Sequence, residues 1–252
     1  MTSQGLNVWI TGASQGLGEA LALNYLSKGA EVAITARRQE ALEIVREESV
    51  APERCWVRPG DVTNREDVEA IVNGLERSGA APDIAILNAG TYQHGGLEEI
   101  SSEAARGIFE LNVFSVITAI EILRGVWRRR GGGHLVVVGS VAGDVGLPYA
   151  ALYSATKASV RRILESLQPE LERENVRVTL VSPGFVRTPL TEKNDFPMPF
   201  IVSAEDAAEA IHSGVSKQRF EVRYPRRMGF LIRFIAALPY WLKFRVTAKM
   251  LR

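Results

Sequence analysis

The sequence predicts an α/β protein built as a single doubly wound parallel-sheet (Rossmann) domain, on three observations. Its 252 residues, 46% hydrophobic and 23% charged, suit one large domain with a full core. Six short β-branched runs alternate with amphipathic segments, the order in which a parallel sheet acquires helices on both faces. A glycine-rich turn joins the first run to the first amphipathic segment, where such a sheet binds a dinucleotide.

The expected strands are 6–11, 31–36, 54–58, 83–87, 134–139 and 176–181, several apolar on both faces as a sheet covered on both sides requires. Residues 17–27, 39–48, 65–77, 103–130 and 153–174 carry helical apolar spacing between them. Gly131-Gly132-Gly133 marks a sharp turn before the fifth strand. Pro169 is expected to interrupt the last helix after about four turns, because a proline there removes a hydrogen bond and kinks the backbone. After Val181 the alternation weakens, and residues 183–199 form a connection long enough to suggest a functional loop.

Composition narrows the function. Thirty Lys+Arg against 29 Asp+Glu leave a net charge of +1, which argues against nucleic acid as a partner. Cys55 is the only cysteine, and His94, His134 and His212 are too dispersed for a metal-ligand pattern, so no metal site is expected. Residues 1–6 carry no charged side chain and no apolar stretch of signal length, and no run of about 18 apolar residues occurs. The expectation is a cytoplasmic protein. Its charge is uneven: 223–252 holds eight basic residues and no acidic one, while 1–222 holds 22 basic against 29 acidic, a net of −7. The expected division is a dinucleotide-binding catalytic domain over 1–222 and a basic amphipathic extension over 223–252 that is not an independent domain.

The glycine-rich turn reads Thr11-Gly12-Ala13-Ser14-Gln15-Gly16-Leu17-Gly18. Glycines let the chain turn tightly and let a pyrophosphate approach the N–H groups and positive dipole end of the following helix. The second strand ends in Thr35-Ala36-Arg37-Arg38, with no carboxylate for a ribose 2′-hydroxyl and two guanidinium groups for a 2′-phosphate. This favours NADPH (NADP+) over NADH, the alternative being two solvated arginines at a helix start. Asp61-Val62 after the third strand is expected at the adenine, and Asn88-Ala89-Gly90 after the fourth makes another turn against the cofactor.

Ser140 follows the fifth strand, Tyr153 comes 13 residues later, and Lys157 four after that. On a helix, i and i+4 share a face, so the phenol and the ammonium point the same way. The ammonium is expected to lower the phenol pKa and make Tyr153 an acid–base group near neutral pH, with Ser140 orienting a carbonyl oxygen.

At these residues the chain resembles the short-chain dehydrogenase/reductase family. The resemblance rests on Thr-Gly-x-x-x-Gly-x-Gly at Thr11, Asn-Ala-Gly at Asn88, Ser140, Tyr-x-x-x-Lys at Tyr153 and Pro-Gly at Pro183, and covers residues 6 to about 190. It implies Tyr153 as the acid in reduction, Ser140 as substrate orienter, and Lys157 as both perturber of Tyr153 and ligand of the nicotinamide ribose. It implies Asn112 as a fourth catalytic residue, bending its helix and holding a water that links Lys157 to solvent. For the cofactor it implies Gly12, Ser14, Gln15, Gly16, Leu17, Gly18, Arg37, Arg38, Asp61, Val62, Asn88, Ala89, Gly90, Tyr153 and Lys157. Pro183, Gly184, Val186 and Thr188 complete that set, with Thr188 on the nicotinamide carboxamide. The helices over 103–130 and 153–174 commonly form subunit contacts in this family, so a homodimer or homotetramer is expected.

The extension is the least family-like part. Met228, Leu231, Ile232, Ile235 and Leu238 follow helical apolar spacing, Phe230, Phe234 and Ala237 widen the stripe, and Pro239 can open a second helix. Aromatic residues among unopposed cations describe an interfacial helix pair on an anionic membrane surface. A lid over the substrate pocket or a subunit contact are the alternatives. The function expected is NADPH-dependent reduction of a lipophilic ketone or aldehyde, with a non-catalytic NADPH-binding protein as the other class. Residues 143–152 and 189–203 are expected to line the pocket.

Overall fold

The computed structural model describes residues 3–251; Met1, Thr2 and Arg252, at the outer ends of the two expected segments, lie outside it. Strands β1 (Asn7–Thr11), β2 (Glu31–Thr35), β3 (Cys55–Val57), β4 (Ile84–Leu87), β5 (Gly133–Val138), β6 (Val176–Pro183) and β7 (Glu221–Tyr224) form one sheet in the order β3-β2-β1-β4-β5-β6-β7. Every pairing is parallel. The strand order reverses between β1 and β4, and the crevice beyond the carboxyl ends there is where such sheets bind ligands.

Alternate residues along each strand serve opposite faces. Val8 and Ile10 pack toward α1 (Gly16–Ser27), α2 (Gln39–Glu48) and α7 (Ala204–Ser216), through Leu21, Leu26, Leu42 and Ile211. Trp9 turns to the other face, where Leu75 of α3 (Arg65–Arg77), Leu123 of α5 (Ser115–Arg130) and Leu164 of α6 (Ala151–Arg173) bury against Leu87, Leu135 and Leu180. Local signals start several helices: Asn64 accepts the amides of Glu66 and Asp67, and Ser203 that of Asp206.

The structure departs from the sequence reading in three places. The alternation does not stop at Val181: α7 and β7 add a seventh strand to the sheet edge. The expected helix over 103–130 is α4 (Ser102–Phe109) and α5, joined by a π-helical turn at Glu110–Phe114. Pro169 does not end its helix; α6 runs on to Arg173. Val160 and Leu164 before the proline and Leu171 after it are buried in the core, so packing holds the helix on both sides of the missing hydrogen bond.

Candidate active site

The glycine-rich turn is locked to the end of β4. Thr11 Oγ1 accepts the amides of Asn88 and Ala89 at 3.0 and 3.1 Å, and Asn88 Nδ2 donates to the carbonyls of Thr11 and Gly12, both at 3.1 Å. Asn88 therefore holds the turn with its side chain. A Cβ on Gly12 would lie 2.7 Å from Ala89 Cα, and one on Gly18 would lie 2.2 Å from the Gly12 carbonyl oxygen, so these two glycines serve the protein's own close packing. Gly16 is different: it has φ of +62° and packs against Thr188, its Cβ position 3.1 Å from the threonine side chain.

The residues around this turn are of the types a dinucleotide would use. Gln15 gives α1 no side-chain cap; the first helical amide, that of Gly16, donates to Glu19 Oε2 at 3.0 Å, so an anion at this helix end would have to share or displace the carboxylate. Arg37 and Arg38 at the end of β2 are exposed and form no ion pair among the described residues. Arg37 is close enough to Asp61 for its charge to be felt. Burial works to raise the pKa of Asp61, but hydrogen bonds from the Thr63 amide and hydroxyl, with Arg37 behind them, hold it below the usual range. Val62 lies beside Thr11 and Ala89.

The catalytic set converges on the ends of β5 and α6. Ser140 begins a tight turn at Val141–Gly143, accepting the Ala142 amide at 3.1 Å, and hydrogen-bonds the Tyr153 phenol. A Cβ on Gly143 would lie 2.8 Å from the Lys157 backbone, so the glycine lets this turn lie flat on α6. Lys157 is buried and donates to the Val138 carbonyl at 2.9 Å, its ammonium 5.8 Å from the centre of the Tyr153 ring. Burial brings the Lys157 pKa down to about 8. The sequence expectation for Tyr153 is reversed: burial raises its pKa, the Ser140 hydrogen bond opposes this, and the net shift is upward. The phenol is thereby kept protonated.

Asn112 sits in the π-helical turn, buried, where its Oδ1 accepts the Thr91 amide at 2.8 Å and its Nδ2 donates to the Thr91 carbonyl and to Thr156 Oγ1. Gly90 packs against both Asn112 and Lys157: a Cβ there would lie 3.1 Å from Asn112 Oδ1 and 3.5 Å from Lys157 Nζ. The structure thus brings Asn112, Ser140, Tyr153 and Lys157 to one place.

An aromatic wall extends from this set. The Tyr92 ring meets Tyr153 edge-on at 4.9 Å, His94 stacks on Tyr149 at 5.2 Å and Phe196 at 5.7 Å, and Phe196 meets Phe185. Tyr149 and Phe196 fall in the segments expected to line the pocket; Tyr92, His94 and Phe185 do not, and short loop sequences carry no periodicity that would have marked them. Phe185 also packs on α8 (Arg226–Ala237), whose Met228, Ile232 and Ile235 bury against Val141 and Val145 beside the active-site turn. A Cβ on Gly184, next to Pro183, would lie 2.8 Å from Met228 Cγ. Val186 is buried and bridges Val202, closing the base of the 183–199 loop. The inner face of α8 thus packs on the active-site turn.

Comparison with known proteins agrees with this geometry. The family model described as short chain dehydrogenase matches residues 6–197. The chain is 35% identical over 232 residues to an uncharacterized oxidoreductase of Myxococcus xanthus, covering 91% of each chain. It is 33% identical over 232 residues to 11-beta-hydroxysteroid dehydrogenase-like 3 of Arabidopsis thaliana, covering 89% of this chain and 74% of that one. Among solved structures, a short chain dehydrogenase of Burkholderia cenocepacia in complex with NADP superposes with a TM-score of 0.84 at 27% identity, covering 97% of this chain and 98% of that chain. The glycine turn, the Ser140, Tyr153 and Lys157 cluster and these matches together make the chain a member of the short-chain dehydrogenase/reductase family of oxidoreductases.

Proposed function

We propose that this oxidoreductase reduces a lipophilic ketone or aldehyde to an alcohol with NADPH, using Tyr153 as the proton donor. The observation that carries the reading is the convergence of Ser140, Tyr153 and buried Lys157 at the ends of β5 and α6, with exposed Arg37 at the end of β2. NADPH, when bound, supplies the hydride. The α1 amides, Ser14, Gln15 and Leu17 would hold its pyrophosphate, Arg37 and Arg38 its 2′-phosphate, and Thr188 its carboxamide. The NADP complex of the Burkholderia relative supports that choice of cofactor.

Ser140 accepts the Ala142 amide, so its hydroxyl hydrogen is available to a substrate carbonyl in place of Tyr153. Tyr153, kept protonated by burial, transfers its proton to the oxygen as negative charge develops there. Lys157 then stabilises the phenolate, and with its pKa near 8 it can pass a proton back at neutral pH. Asn112 fixes the π-helical turn behind Lys157. The aromatic wall excludes water and gives a lipophilic substrate an apolar seat. The relation to a hydroxysteroid dehydrogenase-like protein is in keeping with such a substrate. Exposed Phe114 and Ile117 on the α4–α5 helices support a homo-oligomer through that face.

Tyr153→Phe removes the donor and keeps the ring. Turnover with a panel of hydrophobic ketones should fall by about 10²- to 10⁴-fold while NADPH affinity is retained. No turnover by the unmodified protein with any carbonyl, alongside tight NADPH binding, would instead favour a non-catalytic binding protein.

A further inference from the structure

We infer that the outer face of α8 and of α9 (Tyr240–Ala248) is a docking surface for an anionic lipid bilayer, a role independent of the chemistry in the cleft. The two helices present two unlike sides. Inward, Met228, Ile232 and Ile235 are buried on the active-site turn. Outward, Phe230 is 77% exposed, Phe234 58%, and Trp241 and Phe244 63% each, with Tyr240 beside them. Soluble surfaces scatter single apolar residues, and a concentration of large rings in one short segment marks an interaction site.

The charges select the partner. Residues 223–251 contain no carboxylate side chain. Arg223 and Arg233 are tied to Asp144 and Glu221, but Arg226, Arg227, Lys243, Arg245 and Lys249 form no ion pair among the described residues. Arg226 and Arg227 lie four and three positions before Phe230 and share its side of α8. On α9, Lys243 Nζ stands 4.8 Å from the Tyr240 ring centre and the Arg245 guanidinium 5.6 Å from that of Trp241.

Rings and cations at one level match a bilayer surface, which offers phosphate in its outer layer and hydrocarbon about 5–10 Å beneath. A second copy of this chain, docked through a twofold axis, would instead set these cations against one another. No helix among the described residues is long and apolar enough to cross a membrane, so the helices would lie in the interface plane.

The full-length protein is sedimented with phosphatidylcholine vesicles, with and without phosphatidylglycerol, at low and high salt. Each cation that reaches the surface contributes about fivefold to binding, so anionic vesicles at low salt should bind more than about tenfold better than neutral ones. Salt should weaken this and leave a residue from the rings. The double variant Lys243→Glu/Arg245→Glu should lose more than about tenfold, and Phe234→Ser/Trp241→Ser should lose the salt-resistant part. All four side chains avoid the core, so unchanged unfolding midpoints identify the loss as one of binding. Three results would overturn the inference: no pelleting with anionic vesicles at low salt, equal pelleting with neutral ones, or both variants binding as the unmodified protein does. So would a change in oligomeric state of the variants without vesicles, which would give this face to a second copy.

Discussion

At the end of β2 two exposed guanidinium groups form no ion pair among the described residues, and Arg37 is felt at Asp61. If Arg37 holds a 2′-phosphate, the charge-assisted bond contributes roughly 1.5–3 kcal/mol. Arg37→Asp should then weaken NADPH by about tenfold to a hundredfold and improve NADH, as fluorescence titration would read. Equal affinities of the unmodified protein for both cofactors would refute the assignment. A second prediction concerns His134. Thr179 donates its hydroxyl to the Arg219 carbonyl, so the 2.8 Å bond between His134 Nε2 and Thr179 Oγ1 makes Nε2 the protonated nitrogen of a neutral ring. Burial, then Arg177, lowers its pKa from 6.5 to about 4. Between those values the unfolded chain binds more protons, so stability falls on acidification from about 6.5 to about 4, by on the order of 3 kcal/mol. Urea unfolding of His134→Gln should lack this part of the slope. Tyr153 and Lys157 were legible as a pair because i and i+4 share a helix face, whereas Ser140, off that helix, was legible from its place after the fifth strand and the family motif. The sign of the Tyr153 shift was not, since it depends on burial by residues distant in sequence. The hold of Asn88 on the turn was hidden for the same reason, as its partners lie 76 and 77 residues away.

Six strands and their connecting helices were readable because short apolar β-branched runs alternate with helically spaced segments up to Val181. β7 was missed because it has only four residues, of which Glu221 and Arg223 are charged; α7 was missed although its signals are present, with Ser203 as N-cap and buried Ala207, Ala208, Ile211 and Val215 on one face. The π-helical turn is a backbone event that apolar spacing does not register. Pro169 shows propensity overridden by packing. An alanine there would restore an amide to meet the Glu165 carbonyl, worth up to about 3 kcal/mol, less about 1 kcal/mol for the looser unfolded chain. Pro169→Ala is therefore expected to stabilise the protein by about 2 kcal/mol in urea unfolding. A destabilised variant would mean that the helix is bent to fit its neighbours.

One buried arginine ties three parts of the molecule together. Arg161, one turn beyond Lys157 on α6, lies 3.0 Å from Asp144 beside the active-site turn and 2.6 Å from Glu221 on β7, and it donates to Ser182. Arg223 joins the same two carboxylates, and Arg233 of α8 reaches Glu221 at 2.7 Å. Burial would raise the pKa of Glu221, but hydrogen bonds from Arg161 and Arg223 bring it below the usual range. Removing the central cation leaves buried carboxylates undercompensated, so Arg161→Met should lose about 3–5 kcal/mol in urea unfolding. Near-neutral behaviour would mean that Arg223 alone suffices.

The contact of Met228 with Gly184 carries a further consequence. The strand end that leads into the 183–199 loop has no slack toward α8: it must move with the helix or separate from it. Two ligands that bear on the two sides of such a contact obey reciprocity. Whatever factor cofactor occupancy imposes on the affinity of the outer helices for a surface, the surface imposes on the cofactor. Titrating NADPH with and without vesicles would measure that factor from either side, and thermodynamics requires both measurements to return the same number.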